Sequence, residues 1–345
     1  NYRLRDWDIS RQRYWGCPIP IIYCDACGAV PVPEKDLPVA LPRDISFEKP
    51  GNPLAHHPTW KHVSCPSCGA NATRETDTFD TFFESSWYFA RYCSPKSETP
   101  FDKTAVDYWM PVDCYIGGIE HAVLHLLYSR FFSRALKDCG LVNYTEPFKR
   151  LETQGMICHE TYKSEDGKWL SPDEINRTAS GATTLDGRPV TLGRIEKMSK
   201  SKKNTVDPRH IISAYGADAA RLFMLSDSPP ERDLEWTDAG IDGAWRYINR
   251  LWKLVLDNQQ AVATSNYINL NEVQTPALLG LRQQTHKTIA AVTDDIERFH
   301  FNKAIARLRE LTNALGNLST ADPAAAAVFG EAITAVIHLI APFLP

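Results

Sequence analysis

The sequence has no basic excess, because 38 lysines and arginines face 42 aspartates and glutamates and leave a formal charge of −4. This balance argues against a protein that coats nucleic acid non-specifically and leaves room only for local basic patches. The first residues, Asn1 to Trp7, resemble neither a secretion signal nor a transit segment. No uninterrupted apolar run reaches the roughly 18 residues of a membrane-spanning helix. We therefore expect a cytoplasmic protein that does not enter a membrane.

Disulfide bonds are not expected either, because the nine cysteines are an odd number and no secretion signal accompanies them. Internal repeats and low-complexity tails are also missing. The chain has 345 residues, of which 43% are hydrophobic and 23% charged. This composition is typical of globular proteins. This length favours two or three domains with substantial cores.

Four cysteines form two matching pairs, Cys24-Asp-Ala-Cys27-Gly and Cys65-Pro-Ser-Cys68-Gly. Two intervening residues let both thiolates of a pair converge on one ion, and the glycine permits the tight turn that aims backbone amides at the sulfurs. Two such pairs complete a closed set of four, which predicts a structural zinc ion rather than a catalytic one. The alternative is four unrelated buried thiols. We interpret the remaining cysteines as small buried hydrophobic residues: Cys17, Cys93, Cys114, Cys139 and Cys158.

An α/β rhythm runs through the region before residue 157. Residues 77–92 begin like a strand and turn helical. Residues 112–116 resemble a short buried strand that stops at Gly117 and Gly118, and a helix is expected from Ile119 to Asp138. Apolar residues at helical spacing predict the buried stripe of this helix: Val123, Leu124, Leu127, Phe131 and Leu136.

A helical bundle is predicted for the last third of the chain, after a polar insertion at 158–193. Four amphipathic stretches follow one another, and the fourth, at 324–341, is rich in alanine. The expected core positions of the first three are Ile241, Trp245, Ile248, Leu251, Trp252 and Val255; Ile289, Val292, Ile296 and Phe299; and Ile305, Leu308, Leu311 and Leu315.

The segment from Lys197 to Asn204 contains four lysines, two serines and one asparagine within eight residues. A solvated basic loop or a nuclear-targeting patch is the plain alternative. Met198 and the two serines do not fit a mere run of charge, however. Mobile lysines beside hydroxyl groups suit a triphosphate whose charge moves during a reaction. We therefore interpret this loop as a catalytic element that contacts phosphates.

The letters Lys197, Met198, Ser199, Lys200 and Ser201 match the KMSKS signature of the class I aminoacyl-tRNA synthetases, and the chain resembles this family over essentially its whole length. The segment from Asp6 to Gly16, DWDISRQRYWG, resembles the one by which the isoleucine, valine and leucine members re-enter the catalytic domain after their editing insertion. The segment Gly-Gly-Ile-Glu-His-Ala at 117–122 is similar to the leucine-specific branch of bacterial type. The other two branches typically show Gly-x-Asp there.

The resemblance implies a role for each matching residue. Lys197 and Lys200 are implied as catalytic groups that stabilise charge on the phosphates. The residues implied in ATP binding are Gly117, Gly118, Glu120, His121, Gln154, Met156, Ile157 and Lys200. Those implied in the leucine pocket are Phe82, Ser85, Tyr88 and His125, for which core packing is the alternative. On the expected helix His121 and His125 are one turn apart and share a face.

The fold class that the resemblance implies is α/β, the second half of a class I Rossmann-type catalytic domain with an inserted zinc ribbon, followed by an α-helical anticodon-binding-type bundle. The expected divisions are 1–23 for re-entry into the catalytic domain, 24–75 for the zinc ribbon, 76–157 for the Rossmann-type half, 158–193 for a leucine-specific insertion, 194–238 for the KMSKS loop and stem-contact region, and 239–345 for the bundle. No His-Ile-Gly-His motif occurs, so we expect a fragment that is inactive alone and lacks the editing domain.

The activity that the resemblance implies is ATP-dependent ligation of leucine to leucine tRNA through leucyl-adenylate. Magnesium is implied with the ATP, zinc as a structural ion, and a monomer as the state of the chain. Candidate contacts to tRNA phosphates are Arg246, Arg250, Lys253 and Lys287, for which ordinary exposed charges are the alternative. The competing functions are an isoleucyl- or valyl-tRNA synthetase and a zinc-ribbon RNA-binding module without catalysis. An RNA-binding module without catalysis gives no reason for the KMSKS loop.

Overall fold

The computed structural model describes residues 6–178, 181–264 and 275–345. Small parts of the expected re-entry segment, insertion and bundle, at 1–5, 179–180 and 265–274, lie outside the described residues. The chain forms two compact units, Asn1–Glu152 and Thr153–Pro345. Each unit has its own cores and is described by itself.

A four-stranded antiparallel sheet occupies the start of the first unit. Its strands, in spatial order, are Gly28–Pro31, Ile21–Cys24, Asn71–Arg74 and His62–Ser64. Ile22, Val32 and Ala72 pack with the buried cysteines Cys24 and Cys65 in a small core. This core holds few apolar side chains, so a cross-link at the cysteines would supply stability that hydrophobic burial does not.

Short helices and strands make up the remainder of the first unit. Their bounds are Ser10–Arg11, Glu34–Asp36, Pro53–His56, Thr78–Phe79, Thr81–Glu84, Tyr88–Tyr92, Lys103–Trp109, Tyr115–Gly118, Ile119–Val123 and His125–Asp138. The strand Leu151–Gln154 begins in this unit and ends in the second. Tyr115 donates its backbone N–H to the Arg150 carbonyl at 2.9 Å, and Val112 and Phe148 form a parallel bridge. Phe89, Val106 and Val142 lie in the core beneath these elements.

The expected strand and helix around the glycine pair need correction. The strand spans Tyr115–Gly118 instead of 112–116 and includes both glycines. The long helix is interrupted, because a 3₁₀ turn covers Ile119–Val123 and the α-helix begins only at His125. Between them Leu124 has φ −124° and ψ −111°, which is not helical. The predicted end at Gly140 is correct, since this glycine has φ +74° just after the helix.

The predicted apolar stripe of that helix is confirmed only in part, because Leu136 packs against the core of the unit and other members do not. Val123 is 66% exposed and Phe131 43%, while the buried side chains of the helix include the polar Ser129 and Ser133. Helical spacing therefore did not show which face of this helix is covered.

None of the five scattered cysteines is buried as expected, because Cys17 and Cys139 are exposed and the other three are half-buried.

A six-stranded sheet opens the second unit. Its strands are Ile157–Ser164, Trp169–Leu170, Ile175–Thr178, Gly181–Thr184, Pro189–Lys197 and Leu234–Glu235. The strand Pro189–Lys197 pairs antiparallel with Ile157–Ser164, which pairs on its other side with Leu234–Glu235 in parallel. The polar insertion at 158–193 thus folds as a sheet that ends directly at Lys197.

Helices form the rest of the second unit, as predicted. They are Pro208–Tyr215, Ala217–Ser226, Asp238–Asp257, Gln259–Thr264, Pro276–Glu297, Phe301–Gly316 and Pro323–Ile340. The expected core positions Ile305, Leu308, Leu311 and Leu315 are all fully buried. On Asp238–Asp257, Trp245 and Trp252 are instead exposed, and Ala244 and Tyr247 take the buried face.

The helix Pro323–Ile340 is long and apolar enough to cross a membrane by length and composition, although no membrane span was expected. More than half of it is buried inside the protein. Phe329, Ile333 and Val336 on this helix are fully enclosed by the other bundle helices. This is the environment of a core helix in a helical bundle.

Candidate functional site

The four paired cysteines converge at one end of the four-stranded sheet. Their sulfur atoms all lie within 4.8 Å of one another, and the Sγ atoms of Cys24 and Cys68 are 3.7 Å apart. Tetrahedral ligands with zinc–sulfur bonds of about 2.3 Å lie about 3.8 Å apart. The residues present therefore fit a closed four-sulfur metal site.

The turn after each cysteine pair has the conformation that the sequence predicts. Gly28 and Gly69 have φ +71° and +75°, a region that residues with a Cβ rarely adopt. Hydrogen bonds from the backbone N–H groups of Cys68 and Ser67 lower the pKa of the Cys65 thiol to about 7, whereas the hydrogen bond with the Cys68 side chain raises the pKa of Cys27 to about 12. A thiol that ionises readily is suited to metal binding, because the thiolate is the ligand.

The KMSKS loop is fastened at both ends. Met198 packs against the main core of the unit, and its N–H donates to the Ile157 carbonyl at 2.9 Å. Asn204 is fully buried; its Oδ1 accepts the Ser199 N–H at 2.9 Å and its Nδ2 donates to the His159 carbonyl at 3.1 Å. Residues 199–203 consequently project from a fixed base.

The lysines of this loop differ in their partners. Lys202 forms an ion pair with Glu196, and Lys203 pairs with Glu174 at 3.4 Å. Lys200 is exposed and has no ion-pair partner within the described residues. Among the three lysines from 200 onward, its ammonium group is thus the one that can meet an incoming anion without breaking an internal pair.

The glycine pair leads into a short polar turn. Glu120 is exposed, and Nδ1 of His121 is buried without a hydrogen-bond partner in the part of the chain that the structure describes. A buried imidazole nitrogen without a partner is costly, and such groups cluster where ligands bind. The His121 imidazole is therefore a candidate contact for a bound molecule.

His125 and two tyrosines form a connected polar network inside the first unit. The Tyr115 hydroxyl lies 2.7 Å from His125 Nε2 and 2.7 Å from the Tyr88 hydroxyl. The rings of His121 and His125 are 6.2 Å apart between centroids, so the two histidines still meet although no continuous helix joins them. Desolvation by burial, with a smaller contribution from His121, lowers the pKa of His125. The neutral imidazole can then accept a hydrogen bond from the Tyr115 hydroxyl through Nε2.

The lowered pKa of His125 predicts a loss of stability in acid. At pH values between the lowered pKa of the folded state and the unfolded value of about 6.5, His125 is protonated in the unfolded chain but neutral in the folded chain. Protonation therefore favours the unfolded chain, and the free energy of unfolding falls as the pH drops. We expect the stability of the wild type relative to His125→Gln to decrease from about pH 7.5 to about pH 5.5. Urea unfolding of both proteins across this range measures it. An unchanged difference between them contradicts the assignment of a depressed pKa.

The other predicted pocket residues lie near this network. The Phe82 ring is 6.3 Å from that of His121, and the Tyr88 ring is 6.0 Å from that of His125. Ser85 instead donates its hydroxyl to the Phe82 carbonyl at 3.3 Å, within its own turn. The first unit therefore brings both histidines together with Phe82 and Tyr88.

The segment at 154–157, which contains three of the residues implied in ATP binding, is held tightly within the second unit. A Cβ on Gly155 would lie 2.0 Å from the Arg232 carbonyl oxygen, so only glycine fits there. The Met156 N–H donates to the Asp233 carboxylate at 2.7 Å, and its carbonyl accepts the Leu234 N–H at 2.9 Å. The backbone N–H and carbonyl of Met156 therefore both have hydrogen-bond partners already. Gln154 lies two residues earlier, at the end of the strand Leu151–Gln154.

Sequence reasoning missed three residues that organise these sites. Tyr115 links His125 to Tyr88, and Asn204 fixes the KMSKS loop. Asp80 is buried, forms an ion pair with Arg11 and accepts the Phe82 N–H at 2.8 Å. The one local signal was Asp80 before a helical stretch, which is typical of a helix cap.

Comparison with protein families gives two matches. The family described as tRNA synthetases class I (I, L, M and V) matches residues 2–180 and 190–237. The anticodon-binding domain of tRNA ligases matches residues 280–345.

Two curated relatives are similar over the whole chain. A leucine–tRNA ligase of Paramagnetospirillum magneticum is 66% identical over 348 residues, and one of Rhodospirillum rubrum is 62% identical over 350. The chain covers 40% of the length of each of these relatives.

Solved structures show the same likeness. The LeuRS of Agrobacterium radiobacter K84, solved as a ternary complex with tRNA and LeuAMS, matches all of this chain with a TM-score of 0.81 and 37% identity, over 40% of its own length. A methionyl-tRNA synthetase of Mycobacterium tuberculosis matches 82% of the chain and 50% of its own length, with a TM-score of 0.51 and 18% identity, and supports the fold alone. The match over residues 2–180 and 190–237 covers well over half of the sequence, and the chain therefore belongs to the class I tRNA synthetase family of the isoleucine, leucine, methionine and valine enzymes.

Proposed function

We propose that this chain contributes part of the active site of a leucine–tRNA ligase. The observation that carries the proposal is the KMSKS loop, fixed at its base by Asn204 and presenting Lys200 without an acid partner among the described residues. The curated relatives at 66% and 62% identity, both leucine–tRNA ligases, support leucine as the amino acid. Because the chain spans 40% of their length, the remainder of such an enzyme is needed for activity.

The proposed reaction has two steps. The leucine carboxylate attacks the α-phosphate of ATP and gives leucyl-adenylate and pyrophosphate, and the terminal ribose of leucine tRNA then takes the leucyl group and releases AMP. Lys200, with Lys197, stabilises the negative charge that moves onto the leaving pyrophosphate. Magnesium accompanies the ATP as its counter-ion.

We assign one set of side chains to the adenosine and another to the leucine side chain, according to their chemistry. Glu120 accepts hydrogen bonds from the ribose hydroxyls, and His121 lies against the adenosine. His125, held by the Tyr115 hydroxyl at 2.7 Å, shapes the leucine pocket together with Phe82. The remaining proposed contacts are Gly117, Gly118, Gln154, Met156 and Ile157 for ATP, and Ser85 and Tyr88 for leucine. For Met156 the contact is made by the side chain, because its backbone groups are already paired.

A non-catalytic RNA-binding module is a weaker candidate. It accounts for the cysteine cluster and the helices. It gives no role to the intact KMSKS letters or to the buried Nδ1 of His121, which has no hydrogen-bond partner among the described residues. Isoleucine or valine as the substrate is disfavoured by the leucine-specific relatives. We propose further that the protein works as a monomer in the cytoplasm.

The amino acid can be tested with a chimera in which this chain replaces the matching 40% of the Paramagnetospirillum magneticum relative. Free leucine should raise the thermal midpoint of the chimera more than isoleucine, valine or methionine at equal concentration, because only a ligand that binds the folded state stabilises it. Equal protection by all four amino acids, or stronger protection by isoleucine or valine, argues against leucine.

We also propose that Cys24, Cys27, Cys65 and Cys68 bind one structural zinc ion per chain. The ion would cross-link the two turns and stabilise the small ribbon core. Metal analysis of the purified chain should find about one zinc per molecule, and Cys65→Ser should lower this content. Zinc removal by a chelator should expose residues 24–75 to hydrogen exchange and leave the bundle protected. Cys93→Ser, outside the cluster, is the matched control, and equal zinc in wild type and Cys65→Ser contradicts the site.

A further inference from the structure

Asp80 is a buried carboxylate to which the proposed reaction gives no role. Its side chain is 1% exposed. One oxygen, Oδ1, accepts the Phe82 N–H at 2.8 Å, and the other, Oδ2, accepts a hydrogen bond from the Arg11 guanidinium. Burying a charged group costs free energy unless it is paired, and here each oxygen has a donor. The two bonds join the turn that carries Phe82 to the segment that contains Arg11.

A helix cap alone would not require this charge. Asp80 caps the helix Thr81–Glu84, but asparagine and serine cap helices about as well without being ionised. The carboxylate therefore has a second task, which is the ion pair with Arg11. The Asp80 N–H also donates to the Ile9 carbonyl at 2.8 Å, so its backbone and its side chain attach to the same short segment.

The segment 8–11 also holds the helix that begins with His125. The Tyr128 hydroxyl, on the first turn of that helix, donates to the Asp8 carbonyl at 2.6 Å. The rings of Phe82 and Tyr128 are 5.8 Å apart between their centroids. Both walls of the proposed leucine pocket are therefore attached to one segment of the chain.

We propose that Asp80 is a positioning residue of the leucine pocket, which fixes Phe82 relative to the segment 8–11 through its ion pair with Arg11. The inference rests on the proposed ligase function and adds a specificity-determining residue to it. A pocket discriminates between apolar side chains of similar size only by shape, so the Phe82 ring must be held within a fraction of an ångström. A cap without a fixed partner would let the turn shift.

The test is leucine-dependent ATP–pyrophosphate exchange by the chimera with Asp80→Ala, which removes both bonds. We expect the KM for leucine to rise about tenfold or more, as for the loss of a hydrogen bond to a charged group. The advantage of leucine over isoleucine and methionine should shrink. The KM for ATP should stay within about threefold, because the two bonds lead to Phe82 and Arg11, neither of which is assigned to ATP.

Asp80→Asn is the milder variant, which keeps the test open if Asp80→Ala does not fold. The amide retains the volume and one oxygen for the Phe82 N–H, but it replaces the charged acceptor of Arg11 by a neutral group. The KM for leucine should again rise, while the circular dichroism spectrum matches that of the wild type.

Asp77→Asn is the matched control. Asp77 accepts hydrogen bonds from Ser10 and Gln12 at 2.9 and 2.6 Å, on the same part of the chain that Asp80 holds, but it does not cap the helix that carries Phe82. Its replacement should change the KM for leucine by less than about twofold, as expected for a partly exposed side chain.

An unchanged KM for leucine in a folded Asp80→Ala or Asp80→Asn variant overturns the inference, and so does a comparable rise in Asp77→Asn. A fall in kcat with both KM values unchanged, or an equal rise of the KM for leucine and for ATP, also overturns it, because each indicates a merely structural role. Failure of the ligase function gives a different result: the chimera with Asp80 intact would then show no preference for leucine.

Discussion

Lys200→Ala, introduced into the chimera, should slow leucine-dependent ATP–pyrophosphate exchange by about 100- to 1,000-fold while leucine binding changes little. The reason is the position of the lysine: it is exposed on a loop whose base is fixed, and it has no ion-pair partner among the described residues. Its charge therefore acts mainly when negative charge develops on the leaving pyrophosphate. A contact of this kind contributes roughly 2.7–4 kcal/mol to the transition state.

The matched control for this experiment is Lys203→Ala. Lys203 belongs to the same loop but already pairs with Glu174 at 3.4 Å. Its removal should change the exchange rate by less than about threefold, as expected for an exposed ion pair. Exchange by Lys200→Ala within about threefold of the wild type contradicts the role of the loop in charge stabilisation.

His125→Ala should lower activation of leucine and narrow its advantage over isoleucine and methionine by about tenfold or more, since shape discrimination between apolar side chains is worth about 1–3 kcal/mol. His125 is 92% buried and is fixed through Nε2 by the Tyr115 hydroxyl at 2.7 Å. Removing the imidazole leaves space beside Tyr88 and releases the Tyr115 hydroxyl. The pocket then accepts side chains of other shapes.

Glu120→Ala is the contrasting variant. Glu120 is exposed on the 3₁₀ turn before His125, and the proposed function assigns its carboxylate to the ribose hydroxyls. Its loss should raise the KM for ATP and leave the ranking of amino acids unchanged. Steady-state exchange for each amino acid and for ATP measures both variants. A preserved leucine-to-isoleucine ratio in His125→Ala, or an altered one in Glu120→Ala, shows that the two residues are wrongly assigned.

Local patterns predicted much of the fold, because they depend on few residues. The spacing within each cysteine pair and the glycine after it brought four sulfurs to within 4.8 Å. The helical period placed Ile305, Leu308 and Leu311 in the core, where all three are fully buried. Each cysteine pair lies within one turn and the apolar residues lie on one helix face, so these parts of the signal are local. The meeting of the two pairs is not local, because Cys24 and Cys68 are 44 residues apart and are brought together by the folded sheet.

Other features depended on partners far away in the chain. Nothing near Leu124 predicts the break before His125, since neither glycine nor proline occurs there. Tyr115 and Tyr88 are 27 residues apart, and their hydrogen bond exists only in the folded unit. Trp245 and Trp252 were expected inside because of their size, yet the smaller Ala244 fits the covered face of that helix. Size and hydrophobicity do not say which face a neighbouring element covers.

The most direct test of the central claim is amino-acid-dependent pyrophosphate exchange by the chimera containing this chain, followed by charging of leucine tRNA. The account predicts exchange with leucine well above that with isoleucine, valine or methionine, and transfer of leucine to its tRNA. A folded chimera that exchanges equally with all four amino acids, or faster with one of the other three, would contradict it.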